Sequence, residues 1–517
     1  MLSPSALYLW SAFATFATPT IAENLGSHAR RSDVLPGCEE ACALLSEQYP
    51  TQNLLRNGTD FATTRAALWS TVQGAVEPAC FFRPLTTPDV SAAITTARET
   101  QCKFAVKAGG HNSYVSSVIE GGLVIDLVAM DEVTVSEDEK SVALGPGGTW
   151  DRVYPVLEAR GKIVPGGRMF GVGVGGLTLG GGISWLSSIY GWTCDNVLEY
   201  ELVTANGEVI NVTYESHPDL YWALRGGGSN YGVVTKFTMA LYDQGKIWFS
   251  RVRFNSTASA VFNGAFAKWA KDLDSGDWRS TASLGWNAHL GGPPTGVALL
   301  AHADPQSTND THPAAFDDFF DNSLATSVAS SNAFHSDIAK SLVFPAGVTR
   351  NSMWTTSFLV DVDMVQEAYR IWEEESRSVA PFAASQQLQI QTISVPQMEM
   401  MKRRGGNPSG LAGQKEAVCF LNILVQWRDS LDDGAAFAAQ KRTEDRINAA
   451  AAERGLYVPY KYTNYASIFQ DPYAGYGESN KQRLRDVAAM YDPEGVFQKL
   501  EPGGFKIMRD TPPVVPV

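Results

Sequence analysis

Glycine is concentrated where this chain has least freedom to form long regular elements. A dense series runs from Gly145 to Gly182, including Gly171-Val172-Gly173-Val174-Gly175-Gly176 and Gly180-Gly181-Gly182. A second group, Lys107-Ala108-Gly109-Gly110-His111-Asn112-Ser113, follows the apolar run that begins at Phe104, and a third, Arg225-Gly226-Gly227-Gly228, precedes the apolar run Tyr231 to Met239. Stretches so poor in Cβ atoms weaken helix and strand interiors and favour loops. Consecutive glycines also let backbone N–H groups point into one concavity, the geometry an anionic pyrophosphate requires. His111 stands directly on such a loop and therefore beside whatever the loop binds. Other histidines, such as His28 and His312, have no comparable setting and read as ordinary hydrogen-bonded or surface residues.

Gly171, Gly173 and Gly176 also satisfy the pattern G-x-G-x-x-G, with Asp195 and Glu199 near the distance expected for a ribose-binding carboxylate. The context argues against a nicotinamide site. Pro165 and Gly166-Gly167 interrupt the strand that should come before, and Gly180-Gly181-Gly182 break the helix that should follow.

Residues 80–130 alternate strand and helix signals in a β-α-β pattern: an aromatic run at Phe81-Phe82, an Ala-rich helix from Asp89 to Thr100 opening after Thr87-Pro88, and a buried strand from Phe104 to Lys107. Glycine thins out between about residues 245 and 455, where Cys419 to Trp427 reads as a strand and Asp432 to Glu453 as a helix. The expected organisation is an α+β protein of two lobes: an N-terminal helical segment (23–75), a glycine-rich domain (76–245), a second lobe with an antiparallel sheet covered by helices (246–455) and a C-terminal segment (456–510). No long low-complexity tract or solenoid period is present.

The 517 residues carry a net charge of −14, which disfavours binding to a phosphate backbone, so nucleic acid is not an expected partner. Residues 1–22 are apolar and small, broken by Pro19, too short for a bilayer span, and end at Thr20-Ile21-Ala22; they read as a signal peptide, with no membrane attachment after its removal. Sequons at Asn57, Asn211, Asn255 and Asn309 fit a glycosylated surface. Of the six cysteines, Cys38, Cys42, Cys80 and Cys102 crowd the N-terminal part, where an oxidising compartment favours one or two disulfides of undetermined pairing. No His or Cys pair follows at zinc spacing, so no metal is expected.

The motifs GGHNS (Gly109 to Ser113), GGLVIDL (Gly121 to Leu127), GGRMFGVGVGGLTLGGGIS (Gly166 to Ser184), YGWTCDNV (Tyr190 to Val197), DLYWALRGGGSNYGVVT (Asp219 to Thr235), YTNYA (Tyr462 to Ala466), YGESN (Tyr476 to Asn480) and YDPEGVFQ (Tyr491 to Gln498) occur in fixed order. Together they resemble the berberine bridge enzyme-like group of fungal FAD-linked oxidases, which have a PCMH-type FAD-binding domain and belong to the vanillyl-alcohol oxidase superfamily. The resemblance is dense over about residues 70–245 and 455–507. It implies FAD as cofactor, a covalent flavin bond at His111, and a C-terminal segment that completes the FAD domain. It further implies cofactor contacts at Gly109, Gly110, Asn112, Ser113, Gly173, Gly175, Gly176, Gly181, Asn196, Val233, Asn464 and Asn480. Many relatives form a second flavin bond from a cysteine. Met169 occupies that position here, and a thioether cannot make the link, so a single bond is expected and an oligosaccharide substrate is disfavoured. Val172 stands where the family has its oxygen gatekeeper.

Tyr462 is the candidate base or hydrogen-bond partner of the substrate, on the premise that a strand sends Tyr462, Asn464 and Ala466 to one face and Tyr465 to the other. A core tyrosine at 462, and turn-capping roles for Asn464 and Asn480, account for the same residues. Gln389, Gln391, Gln426 and Trp427 are candidates for the substrate side of the middle lobe, although ordinary strand polarity explains the glutamines equally well. The implied reaction is oxidation or oxidative cyclisation of a small organic metabolite, with molecular oxygen as second substrate and hydrogen peroxide as by-product. A carbohydrate or alcohol oxidase, and a dehydrogenase of the same fold, are the alternatives.

Overall fold

The computed structural model describes residues 33–515 except 274–275, 289–291, 309–310, 321–322 and 344–346. The expected signal peptide and Asn309 lie outside the described residues.

The β-α-β signal is realised as strand Cys80–Phe82, helix Thr87–Glu99 and strand Phe104–Lys107. The helix starts where Thr86 and Asp89 form a capping box and Pro88 sits in the first turn. Both strands lie parallel to Leu123–Asp126, which is inserted between them, and Asn53–Leu55 adds an antiparallel edge. Two disulfides, Cys38–Cys102 and Cys42–Cys80, fasten helix Cys38–Gln48 to this layer. A separate antiparallel sheet of five strands has Val233–Ala240 near its centre, between Ser141–Leu144 and Val197–Val203.

The middle lobe is built on an eight-stranded antiparallel sheet between Ile247 and Val458. Its central strands Ser385–Ile393 and Val418–Trp427 pair along nine rungs, among them Gln391 opposite Phe420 and Gln389 opposite Asn422. Alternation divides them cleanly. Leu388, Ile390, Leu421 and Ile423 pack with residues of helices Ser259–Asp272, Val362–Val379 and Asp433–Glu453 in one apolar core. Gln389 and Asn422 face the other way, toward the glycine-rich half.

Residues after Val458 return to that half. Tyr473 and Tyr476 donate hydrogen bonds to the carbonyls of Gly227 and Gly226 (both 2.9 Å), and Lys506 donates to Ser229 O (3.1 Å). A buried ion pair, Arg225 with Asp195 at 2.7 Å, also reaches across: Arg225 Nη1 donates to the carbonyls of Arg403 and Gly406. Asp195 is thereby committed to the scaffold. Helix Val174–Leu179 is only six residues long and gives way to Gly180, with Gly181 and Gly182 at positive φ, so no Rossmann helix forms. Among the described residues no helix is long and apolar enough to cross a membrane.

Candidate active site

A single cavity brings together the GGH loop, the 168–183 segment, the start of strand Val233–Ala240, the polar face of the large sheet and the turn at 462–466. Its backbone wall is made by contact between two glycines. A Cβ on Gly109 would lie 2.6 Å from Gly173 Cα, and one on Gly173 would lie 2.6 Å from Gly109 N. No side chain fits at either residue. Gly175 is similarly tight, 3.1 Å from Ala108 Cβ, whereas a Cβ at Gly176 would meet no protein atom within 4 Å although Gly176 lines the cavity. Gly176 thus leaves a cradle that protein packing does not explain.

The amides of Gly110, His111, Asn112 and Ser113 donate to no acceptor among the described residues, which leaves a row of N–H groups for an anion. Gly110 has φ 68°, a left-handed conformation that favours glycine. Gln73, fully buried, shapes the loop from behind by donating to Gly110 O (3.3 Å) and Asn112 Oδ1 (2.9 Å). Asn112 in turn donates to the hydroxyls of Ser116 and Ser117. Its side chain therefore orders the loop, and nothing in the sequence pattern pointed to Gln73. His111 stacks on Trp69, with ring centroids 4.3 Å apart and planes at 23°. Surrounding protein holds its imidazole down to about pKa 4, so it is neutral and nucleophilic at pH 7.

Ser113, Met169, Val172 and Val233 line the same cavity. Gly181, Asn196 and Asn480 do not. Gly181 has φ 109° and packs where a Cβ would touch the Trp192 ring at 2.9 Å. Asn196 is buried and bonds Tyr190 O, Trp192 O and the Tyr242 hydroxyl. Asn480 donates to Pro408 O and Tyr476 O near the start of helix Glu478–Tyr491.

The expected strand at 462–466 is instead a turn, closed by Tyr465 N donating to Tyr462 O at 2.9 Å. Asn464 is the reason: its Nδ2 donates to Leu177 O (3.0 Å) and to the Tyr462 hydroxyl (3.1 Å), latching the turn onto the end of the short helix. Gly180 provides the seat, since a Cβ there would lie 2.0 Å from Asn464 Oδ1. As a result Tyr462 and Tyr465 both line the cavity, with ring centroids 4.9 Å apart. Burial raises the Tyr462 pKa above that of an ordinary phenol. The Tyr465 hydroxyl accepts from Arg168 Nη2 (3.1 Å) and more weakly from Gln391 Nε2 (3.4 Å), and its own proton has no acceptor among the described residues.

On the sheet side Gln389, Asn422 and Met353 line the cavity. Gln426 is spent on Asn351 and Thr349, and Trp427, on the opposite face of its strand, donates to Asp433 and packs on Phe437. Arg168, Tyr465 and Asn422 are polar groups on the cavity wall that sequence reasoning passed over, besides Gln73 behind the loop. The first is one cation inside a glycine run, and the second was assigned away from the site by strand alternation.

A family model described as FAD binding domain matches residues 78–213. The FAD-dependent monooxygenase tpcD of Cochliobolus heterostrophus is 34% identical, with 94% of this chain and 98% of the relative covered. The bifunctional solanapyrone synthase of Alternaria solani is 30% identical over 91% of this chain and 90% of its own. Among solved structures, a berberine bridge enzyme variant superposes with a TM-score of 0.70 at 17% identity, covering 88% of this chain and 97% of that one, a likeness of fold. The glycine contact, the open cradle at Gly176 and the free amides around His111 fit an FAD diphosphate and ring. With FAD as its cofactor, the chain belongs to the family of FAD-dependent oxidoreductases that includes tpcD, and it shares the fold of berberine bridge enzyme.

Proposed function

We propose that this protein is a secreted oxidase of a small organic metabolite, with FAD joined through a single covalent bond to His111. The observation that carries the reading is the setting of His111: a neutral imidazole, fixed by Trp69, on a loop whose amides await an anion. Met169 lines the same cavity and supplies no second attachment. Held by the glycine loop and His111, FAD would supply two-electron chemistry, taking a hydride from a substrate carbon and passing the electrons to molecular oxygen to give hydrogen peroxide. The protein's share is to orient the substrate and to move its proton. Tyr462 is the base named by the sequence, but its raised pKa makes its phenolate costly. The geometry favours Tyr465 for that role, with Arg168 donating to the same oxygen and Tyr462 steadying Asn464.

Secretion is supported by the two disulfides and by the exposure of Asn57, Asn211 and Asn255. Oxidative cyclisation in fungal secondary metabolism is the reaction class we favour, since one relative is named a synthase. Acid precipitation of the purified protein tests the flavin bond: the pellet stays yellow if His111 holds the flavin, and His111→Ala sends the colour into the supernatant. A colourless wild-type pellet would reject covalent attachment. The relative named a monooxygenase supports a second reading, in which an oxygen atom enters the product. One peroxide released per substrate oxidised identifies an oxidase, whereas labelled oxygen recovered in product identifies a monooxygenase.

A further inference from the structure

Arg168 lies between Gly167 and Met169, and its guanidinium is the one cation lining the cavity that has no carboxylate partner among the described residues. Nη2 donates to Gln391 Oε1 and to the Tyr465 hydroxyl, and the guanidinium carbon stands 5.2 Å from the Trp185 ring centroid. These contacts, one from each of three separate segments, fix the guanidinium while using only two of its five N–H donors. Nε and Nη1 donate to no group among the described residues. The other charged residue on the cavity wall, Glu501, is neutralised by Lys506 at 2.9 Å, and His111 is uncharged. The cavity wall therefore carries one positive charge with no protein carboxylate beside it among the described residues. A partly desolvated guanidinium is costly unless an anion meets it.

A second observation lies on the sheet. Asn422 is 2% exposed and lines the cavity, yet its Oδ1 accepts no hydrogen bond among the described residues. It calls for a donor that the protein does not supply. Asn422 pairs with Gln389 two rungs from the pair of Gln391 and Phe420, on the same face of the sheet. The anchor of Arg168 and the orphan acceptor are thus separated by two residues along the strand, roughly 7 Å.

We infer that the site selects a substrate that brings an anionic oxygen to Arg168 and, at the other end of a ring-sized body, a hydroxyl or N–H donor to Asn422. The anionic oxygen belongs to a carboxylate or to an enol or phenol that is ionised at neutral pH. This assignment rests on the proposed function only in taking the cavity as the substrate site of a flavoenzyme.

Binding to the oxidised holoenzyme, read from perturbation of the flavin's visible band, tests it without turnover. Benzoate and pentafluorophenolate are the carboxylate and phenolate probes, and benzamide and phenol are their neutral counterparts. At least one anion is expected to bind about ten- to a hundredfold more tightly than its neutral partner, the range of a charge-assisted hydrogen bond. Arg168→Gln should erase that ratio with the affinity for the neutral probe retained, and Arg168→Lys should keep part of it. 4-Hydroxybenzoate should bind several-fold more tightly than benzoate, and Asn422→Leu should remove that advantage. Wild-type enzyme that treats anions and neutral probes alike, or binds none of them at millimolar concentration, overturns the inference. So does an Arg168→Gln variant that keeps the ratio but shifts the flavin midpoint potential, which would assign the cation to the cofactor. If Arg168→Gln fails to retain flavin, the wild-type ratio and Arg168→Lys still decide. Failure to consume oxygen would sink the oxidase reading alone and leave the anion preference standing.

Discussion

The two walls of the cavity use opposite means. The glycine-rich wall contributes backbone: Gly109, Gly173 and Gly176 act by lacking side chains, and the loop amides are left free for an anion. The sheet wall contributes side chains, with Leu388, Ile390, Leu421 and Ile423 buried beneath the helices while Gln389 and Asn422 are presented to the cavity. One wall is specified by what is absent at a few positions, the other by what alternates along a strand. Under the proposed function, cofactor recognition is rigid and intolerant of substitution, and substrate recognition is a surface that can be rewritten without disturbing the core behind it.

Substitutions within the glycine wall give the largest expected effect. Gly173→Ala places a Cβ 2.6 Å from Gly109 N, so folded, flavin-containing protein should be lost, whereas Gly176→Ala meets no protein atom. The second variant should melt no lower than wild type without cofactor, since alanine favours a helix by up to about 1 kcal/mol over glycine, yet retain less FAD. Flavin content and thermal melting of both variants give the answer; equal behaviour would mean that the cradle at Gly176 is not a cofactor contact.

At the junction of the walls, Tyr465→Phe should slow flavin bleaching by substrate about a hundredfold to ten-thousandfold, or roughly 3 to 5 kcal/mol of barrier. Tyr462→Phe should cost less, and neither should alter reoxidation by oxygen. Rapid mixing with a confirmed substrate separates the steps. The reverse ranking would return the base to Tyr462.

The seam itself has a pH signature. His335, on helix His335–Lys340 after the sheet's edge strand, is buried against Tyr154 with centroids 5.5 Å apart, and the next residue, Ser336, donates twice to Glu158. Burial holds His335 down to about pKa 4, from an ordinary value of 6.5. Because the unfolded chain takes up the proton first, this residue's contribution is complete above pH 6.5 and is lost as pH falls toward 4, by up to about 3 kcal/mol. His335→Phe should flatten the dependence of unfolding free energy on pH over that interval; an unchanged slope would show that other groups govern acid sensitivity.

The glycine wall was legible in the sequence because loops without Cβ atoms leave a pattern that needs no tertiary knowledge. The helix at 87–99, the strand at 104–107 and the failure of a Rossmann reading followed from local chemistry, as did the strand ending at Trp427. Cysteine spacing alone could not choose among pairings, since Cys38 and Cys42 share one helix face and reach different partners. Tyr465 was hidden by a tertiary contact: Asn464 reaches Leu177, 287 residues away, and bends into a turn what alternation would make a strand. Arg168 was hidden because its meaning depends on Gln391 and Tyr465, which no spacing connects to it.

The contact between Gly109 and Gly173 carries a consequence for descent. When two residues collide, evolution ordinarily escapes by shrinking one to admit a larger other. Here both are already the smallest residue, so neither can make room for the other, and no neighbouring change short of moving the backbone can compensate. Across a lineage the two positions should remain glycine together, and a randomised library spends its diversity fruitlessly there. Variation is free to accumulate on the opposite wall, where new substrates can be acquired while the chemistry of the cofactor stays fixed.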